Sequence, residues 1–232
     1  LYVANEPYKL GDVPPSHRDF SQIALVALAH NPNALRQVSP DRSDFGKLAK
    51  YAVQQPNPNR ALLSVSPDRE DYKEIAVLAM QQNGTRLGDV ISDHADYVEI
   101  AKAAIDQTEQ ALAFAYGAGS TDGYHPRFFE LATYAIGKYG WPIRFVLPGA
   151  AGSAIRAEYV RLAKLALEVA PRALISLDKN IEEYRELAIQ AILKDWTAIN
   201  AVPSTRNDFT ELRAISDRVR NSTDPDTDTD SD

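Results

Sequence analysis

Residues 66–87, SPDREDYKEIAVLAMQQNGTRL, restate what residues 39–55, SPDRSDFGKLAKYAVQQ, spell 27 residues earlier. In each, Ser-Pro-Asp-Arg leads through an acid to an aromatic residue. Apolar residues then fall three, four, seven and eight places on: Phe45, Leu48, Ala49, Ala52 and Val53 in one, Tyr72, Ile75, Ala76, Ala79 and Met80 in the other. That spacing puts five side chains on one stripe of an α-helix. A helix written twice in close succession calls for a search for the period before any other reading.

The phrase runs along most of the chain. It occurs at Phe20, Ile23, Ala24, Ala27 and Leu28, at Tyr97, Ile100, Ala101, Ala104 and Ile105, and again behind Tyr159 and Tyr184. In the fifth unit it reads Phe129, Leu131, Ala132, Ala135 and Ile136, with the leucine one place early. An eighth copy at Phe209 and Leu212 decays, with Arg213 and Ser216 where the alanines stand elsewhere. The paired alanines let a neighbouring helix approach closely, and the larger residues fill the remaining volume. Ten residues after the first alanine comes a second signal, an Ala-Leu-like pair with an apolar residue three places later: Ala34, Leu35, Val38; Ala111, Leu112, Ala115; Ala173, Leu174, Leu177; Ala198, Ile199, Val202. This predicts a shorter second helix in each unit.

Four residues before the aromatic stand Ser16, Asp41, Asp68, Asp93, Asn180 and Thr205, all good N-cap residues. Directly before it stand Asp19, Asp44, Asp71, Asp96, Glu183 and Asp208, in the spacing of a capping box. Between them His17, Arg42, Arg69, His94 and Arg206, joined by Arg156, form a basic column at the first position of the predicted helix, where the dipole disfavours a cation. The expected partners are the acids two residues later in the same or the adjacent unit, which would make a ladder of ion pairs. The functional alternative is a row of cations for an anionic polymer or an acidic partner.

The fold class that follows is all-α, an α-solenoid of about seven to eight helix-turn-helix repeats of 25–31 residues. A single hairpin of this size cannot bury its own stripe, so successive hairpins stack and share a core. Residues 1–15 are expected to form an N-terminal extension or cap, residues 16–220 the repeat domain, and residues 221–232, NSTDPDTDTDSD, a disordered acidic tail.

The segment AMQQNGTRL, followed by an acidic cap, an aromatic and EIAKAAI, resembles the short helical repeats of a domain-of-unknown-function family. That family is typified by a valine- and alanine-rich helix, a Lys-Gln-Asn-Gly turn and an Ala-Leu pair. The resemblance covers residues 16 to about 206, with Asn83 and Gly84 reproducing the turn and HNPN, QTEQ or EVAP replacing it elsewhere. It implies tandem repeats used in larger proteins or assemblies, and no activity.

Composition narrows the function classes. The chain has 232 residues, 44% of them apolar, and no run approaches the roughly 20 apolar residues of a membrane span. It opens on Leu1 rather than Met, so an upstream segment removed or left out is expected. With no cysteine there are no disulfides, thiolate metal sites or cysteine nucleophile. Of the net charge of −7, five charges, Asp224, Asp226, Asp228, Asp230 and Asp232, lie in the tail and leave −2 on the body, which speaks against broad binding to nucleic acid. His17, His30, His94 and His125 have no metal-ligand spacing, and Gly117, Gly119 and Gly123 follow a helix without the Lys-Ser or Lys-Thr of a phosphate loop. The tail aspartates lack the turn glycine and closing glutamate of a calcium loop. Asn83 and Asn221 stand in formal glycosylation acceptors.

No catalytic residues, cofactor site or metal site are therefore expected. Two inserts break the period, GAGSTDGYHP at 117–126 and LPGAAGSAI at 147–155, and are expected to project side by side. Adjacent insertions on a repeat protein commonly build its binding face, which makes Tyr124, His125 and Trp141 the candidate partner-binding residues. The expected function is a non-enzymatic protein-interaction or scaffold module, or a structural subunit of a larger assembly. The alternatives are a nucleic-acid-binding helical repeat and a regulatory domain of a larger enzyme.

Overall fold

The structure, a computed structural model, describes residues 7–56, 60–115 and 127–223. The chain forms two compact units, Leu1–Leu131 and Ala132–Asp232, with the division falling inside one helix. Every regular element among the described residues is helical. The first unit alternates 3₁₀ and α-helices: η1 (Pro7–Asp12), α1 (Phe20–His30), η2 (Pro32–Gln37), α2 (Phe45–Val53), η3 (Ala61–Ser64), α3 (Tyr72–Gln82), η4 (Gly84–Asp89), α4 (Tyr97–Gln107), η5 (Glu109–Phe114) and the start of α5 (Phe128–Tyr139). The second unit holds the rest of α5, then η6 (Trp141–Phe145), α6 (Ala154–Val169), η7 (Pro171–Ser176), α7 (Tyr184–Lys194), η8 (Trp196–Ala201) and α8 (Phe209–Thr223). Within the first unit α1 packs on α2, α2 on α3 and α3 on α4; within the second, α6 packs on α7 and α7 on α8. The 3₁₀ helices form a second row, η2 beside η3 and η4 beside η5 in one unit, η6 beside η7 and η7 beside η8 in the other. The fold is an all-α helical repeat.

The five-residue stripe is the core. Phe45, Leu48, Ala49, Ala52 and Val53 are buried in α2, and the corresponding residues of α3, α4, α6 and α7 are buried too. Each fully buried Leu, Ile or Phe contributes on the order of 1.5–3 kcal/mol. In α5 the buried aromatic is Phe128 and Phe129 is half-exposed, so the stripe there is Phe128, Leu131, Ala132, Ala135 and Ile136 in the same register as elsewhere. The irregularity expected at Phe129 is therefore absent, because Phe128 is the aromatic of this stripe.

The second signal of each repeat folds as a 3₁₀ helix of four to six residues, not as the short α-helix the sequence predicts. Its apolar residues lie three apart, which is the 3₁₀ period, and the fourth place is polar or proline in several units, at Ser39, Ser66, Asp178 and Pro203. The junction into it is where side-chain capping occurs. Asn31, Asn83, Thr108 and Asp195 are extended, and their side chains accept the backbone N–H two residues on at 3.0, 3.1, 3.4 and 2.9 Å. Gly84 follows Asn83 because a Cβ there would strike the Ala104 carbonyl oxygen of α4; its N–H donates to Gln107 Oε1 at 2.9 Å. At the same junction before η6 the residue is Gly140, with φ of 75°, where a Cβ would lie 2.8 Å from that of Ala170.

The predicted α-helix caps are corrected by the structure. Asp41, Asp68, Asp93, Asn180, Ser16 and Thr205 lie in the turn before the helix, not at its start. The helices begin at the aromatic residue, and Asp19, Asp44, Asp71, Asp96 and Glu183 occupy the cap position without a side-chain cap bond. Where an arginine stands two residues earlier, the reason is competition. Asp44 accepts from Arg42 Nε at 2.8 Å and Nη2 at 3.0 Å, Asp71 accepts likewise from Arg69, and Asp208 from Arg206. A bidentate charge-assisted pair outcompetes one backbone N–H for the carboxylate. In α6, where no such pair forms, Ser153 caps by accepting from Arg156 N at 3.1 Å.

Apart from His17, whose Nδ1 accepts the Asp19 N–H at 3.1 Å, the basic column is thus an internal tie. Arg42 lies 4.3 Å above the Phe20 ring, Arg69 4.9 Å above Phe45 and Arg206 4.6 Å above Tyr184, each over the aromatic of the preceding repeat. The guanidinium also reaches back to a carbonyl of that repeat, Arg42 to Pro15, Arg69 to Pro40 at 3.2 Å and Arg206 to Lys179 at 2.7 Å. His94 substitutes in its unit, with its ring 4.9 Å from that of Tyr72 and Nε2 3.2 Å from the Pro67 carbonyl. Arg156 uses the adjacent unit, pairing with Glu183 at 3.2 Å. A second ladder, absent from the sequence reading, joins successive α-helices through the acid two places after the aromatic: Lys50 to Glu74, Lys73 to Glu99, Lys102 to Glu130, Lys164 to Glu186 and Arg185 to Glu211. These pairs are exposed and contribute about 0–1 kcal/mol each.

Two further placements differ from expectation. The insert at 147–155 is tied down, since Arg156 Nε donates to the Pro148 carbonyl at 2.8 Å and Nη2 to that of Gly149 at 2.9 Å, while Ala154 and Ile155 begin α6. Residues 221–223, assigned to the tail, belong to α8. At the other end η1 reproduces the second half of a repeat: KLGDV at 9–13 matches RLGDV at 86–90, Leu10 is fully buried, and Gly11 N donates to Gln37 Oε1 at 2.6 Å.

Candidate functional site

Three 3₁₀ helices of the second unit lie side by side and carry the site. Ile143 of η6, Ala173 and Leu174 of η7, and Ala198 and Ile199 of η8 face the core and are buried. Because residues three apart eclipse in a 3₁₀ helix, the outward side chains form short ridges: Arg172 with Ile175 on η7, Thr197 with Asn200 on η8. Ala201 and Trp141 of η6 are half-buried, and with the edge of the buried Ala198 they line a trough beside these ridges. The resulting groove has a volume of about 340 Å³ and is lined by Trp141, Arg172, Ile175, Thr197, Ala198, Asn200 and Ala201. Ile175 is 57% exposed although fully apolar.

The polar wall is ordered by a small network. Asp195 accepts from Thr197 N at 2.9 Å and from Thr197 Oγ1 at 2.6 Å. Thr197 Oγ1 in turn accepts from Arg172 Nε at 3.1 Å, and the same Nε lies 3.5 Å from Asp195 Oδ2. The Thr197 hydroxyl, chiefly, and the Arg172 charge hold the Asp195 carboxyl below its usual range. The network fixes the base of the guanidinium, while 67% of the Arg172 side chain is exposed.

Of the residues singled out from the sequence, Trp141 lines this groove, and Tyr124 and His125 lie outside the described residues. The structure brings Trp141 together with Arg172, Ile175, Thr197 and Asn200, which the sequence reading passed over. A period of three in PRALIS and WTAINA was the signal that places their outward faces. Among the described residues no group of three or more His, Cys, Asp or Glu is arranged to hold a metal ion, and no helix is long and apolar enough to cross a membrane.

Fold and groove define an all-α helical-repeat protein with an open, largely apolar trough in its second unit. Comparison with protein-family models, with curated proteins and with solved structures finds no match to the chain.

Proposed function

We propose that this chain is a non-enzymatic helical-repeat module that binds another protein, and that the groove of the Ala132–Asp232 unit is its contact surface. The observation that carries this reading is a contrast in how side chains are used. The arginines of the repeated column are taken up in ties to an acid of their own repeat and to the neighbouring repeat, whereas Arg172, held at Nε by Thr197 and Asp195, keeps 67% of its side chain exposed in a groove that also exposes Ile175. Tryptophan and arginine are the residue types that most often carry binding energy at protein interfaces. A scaffold or a subunit of a larger assembly would use the same surface. The test is affinity capture from the native source with chemical cross-linking, using the intact chain, Trp141→Ala and Ile175→Ser. Stoichiometric recovery of a protein cross-linked beside η7 and η8, and lost with both variants, is expected. Cross-links confined to other surfaces, or recovery unchanged by the variants, would remove the groove from the reading.

A further inference from the structure

The chemistry of the occupant can be read from Arg172, the one charged residue lining the groove. Its Nε is engaged by Thr197 Oγ1 at 3.1 Å and stands 3.5 Å from Asp195 Oδ2. Nη1 and Nη2 make no hydrogen bond to any described residue. A guanidinium anchored at Nε, with its Nη1/Nη2 edge open, is oriented for end-on bidentate capture of a carboxylate. Trp141, Ile175, Ala198 and Ala201 supply an apolar lining, and Thr197 and Asn200 the rest. The Asn200 amide adds both a donor and an acceptor suited to a peptide group.

We infer that the groove takes a short protein segment in which a bulky apolar side chain stands beside a carboxylate, the apolar group lying over Ala198 and Ala201 and the carboxylate meeting the open edge of Arg172. The volume of about 340 Å³ lies at the low end of ligand sites and suits a side chain or two rather than a folded surface. The chain's own acidic segment at 224–232, DPDTDTDSD, supplies carboxylates but, beyond the small ring of Pro225, no bulky apolar side chain, so it does not satisfy the apolar half. This inference rests on the proposed function and specifies its partner.

The experiment is selection of random dodecamer peptides on phage against the full chain. Fluorescence-anisotropy titration of the selected synthetic peptides then follows, against wild type, Arg172→Gln, Arg172→Lys, Ile175→Ser and Trp141→Ala, each checked for unchanged circular dichroism. The expected peptides pair a large apolar residue with Asp, Glu or a free C-terminal carboxylate. Arg172→Gln should weaken them by about tenfold, Arg172→Lys by less, and removal of the peptide carboxylate should add nothing once Arg172 is gone. A synthetic peptide of residues 224–232 should bind weakly. Peptides that depend on Trp141 and Ile175 but lack an acid, or are indifferent to Arg172→Gln, would overturn the inference and leave the proposed function standing. Selection that yields only peptides indifferent to all four variants would overturn both.

Discussion

Two tyrosines of the second unit occupy the same place in successive repeats and differ in one partner. The Tyr159 hydroxyl accepts the Asp178 N–H, nineteen residues on, at 2.9 Å. The counterpart of Asp178 for Tyr184 is Pro203, which has no N–H, and the buried Tyr184 hydroxyl has no hydrogen-bond partner. Burial pushes its phenol up to about 12. Tyr159→Phe, which strands a backbone donor, should cost about 1–2 kcal/mol, whereas Tyr184→Phe should be neutral within about 0.5 kcal/mol or stabilising. Urea unfolding of the two variants checks this; a larger loss from Tyr184→Phe would mean that its hydroxyl does have a partner. The Asp carboxyls of the Arg ties make a second residue-scale prediction. Arg206, by hydrogen bonding first and by charge, lowers the pKa of Asp208, as Arg42 does for Asp44 and Arg69 for Asp71. A carboxyl whose pKa is lower folded than unfolded stabilises fully above the unfolded value, near 3.8, and loses that contribution as pH falls through the folded value. Asp208→Asn should therefore lower stability at neutral pH and flatten its decline below about pH 4, read from urea midpoints across the acid range.

Within elements, the α-helical stripe was legible because its period of three and four is unambiguous over nine residues. Its partner was not, because a six-residue segment with apolar residues three apart satisfies both a short α-helix and a 3₁₀ helix until hydrogen bonding decides. The choice has consequences at η4. Gly84→Ala would drive a Cβ into the Ala104 carbonyl and should cost about 1–3 kcal/mol, as overpacking against backbone does. Gly88→Ala, in the same helix with nothing within 4 Å of the added carbon, should be harmless or stabilising by about 0.4–1 kcal/mol. Thermal melting of both variants separates these outcomes. Equal effects would mean that η4 is not held against α4 as described. The α-helix caps differ from the expectation for a related reason. Sequence spacing offers the aspartate two partners, a backbone N–H and the arginine two residues earlier, and only the folded turn shows the guanidinium bidentate on the carboxylate.

At the scale of the molecule, the row of cations that a one-unit-per-base reader of nucleic acid would need is committed to internal ties in both units. The expectation is that the chain does not retard a labelled single-stranded RNA at physiological ionic strength; retardation that weakens steeply with added salt would show that enough of those cations are available. The sequence by itself determined the helical class, the period, the buried stripe and the pairing of Arg or His with an acid two places later, because these depend on residues within one or two turns of each other. Only the tertiary structure decided that the arginines stack on the aromatic of the preceding repeat, that Tyr184 lacks a donor, and that Trp141 shares a trough with Arg172, Ile175 and Asn200. Those relations join residues some twenty to sixty positions apart, beyond the reach of any local pattern, and the last exists only once η6, η7 and η8 lie side by side, with the small side chains Ala198 and Ala201 in the lining.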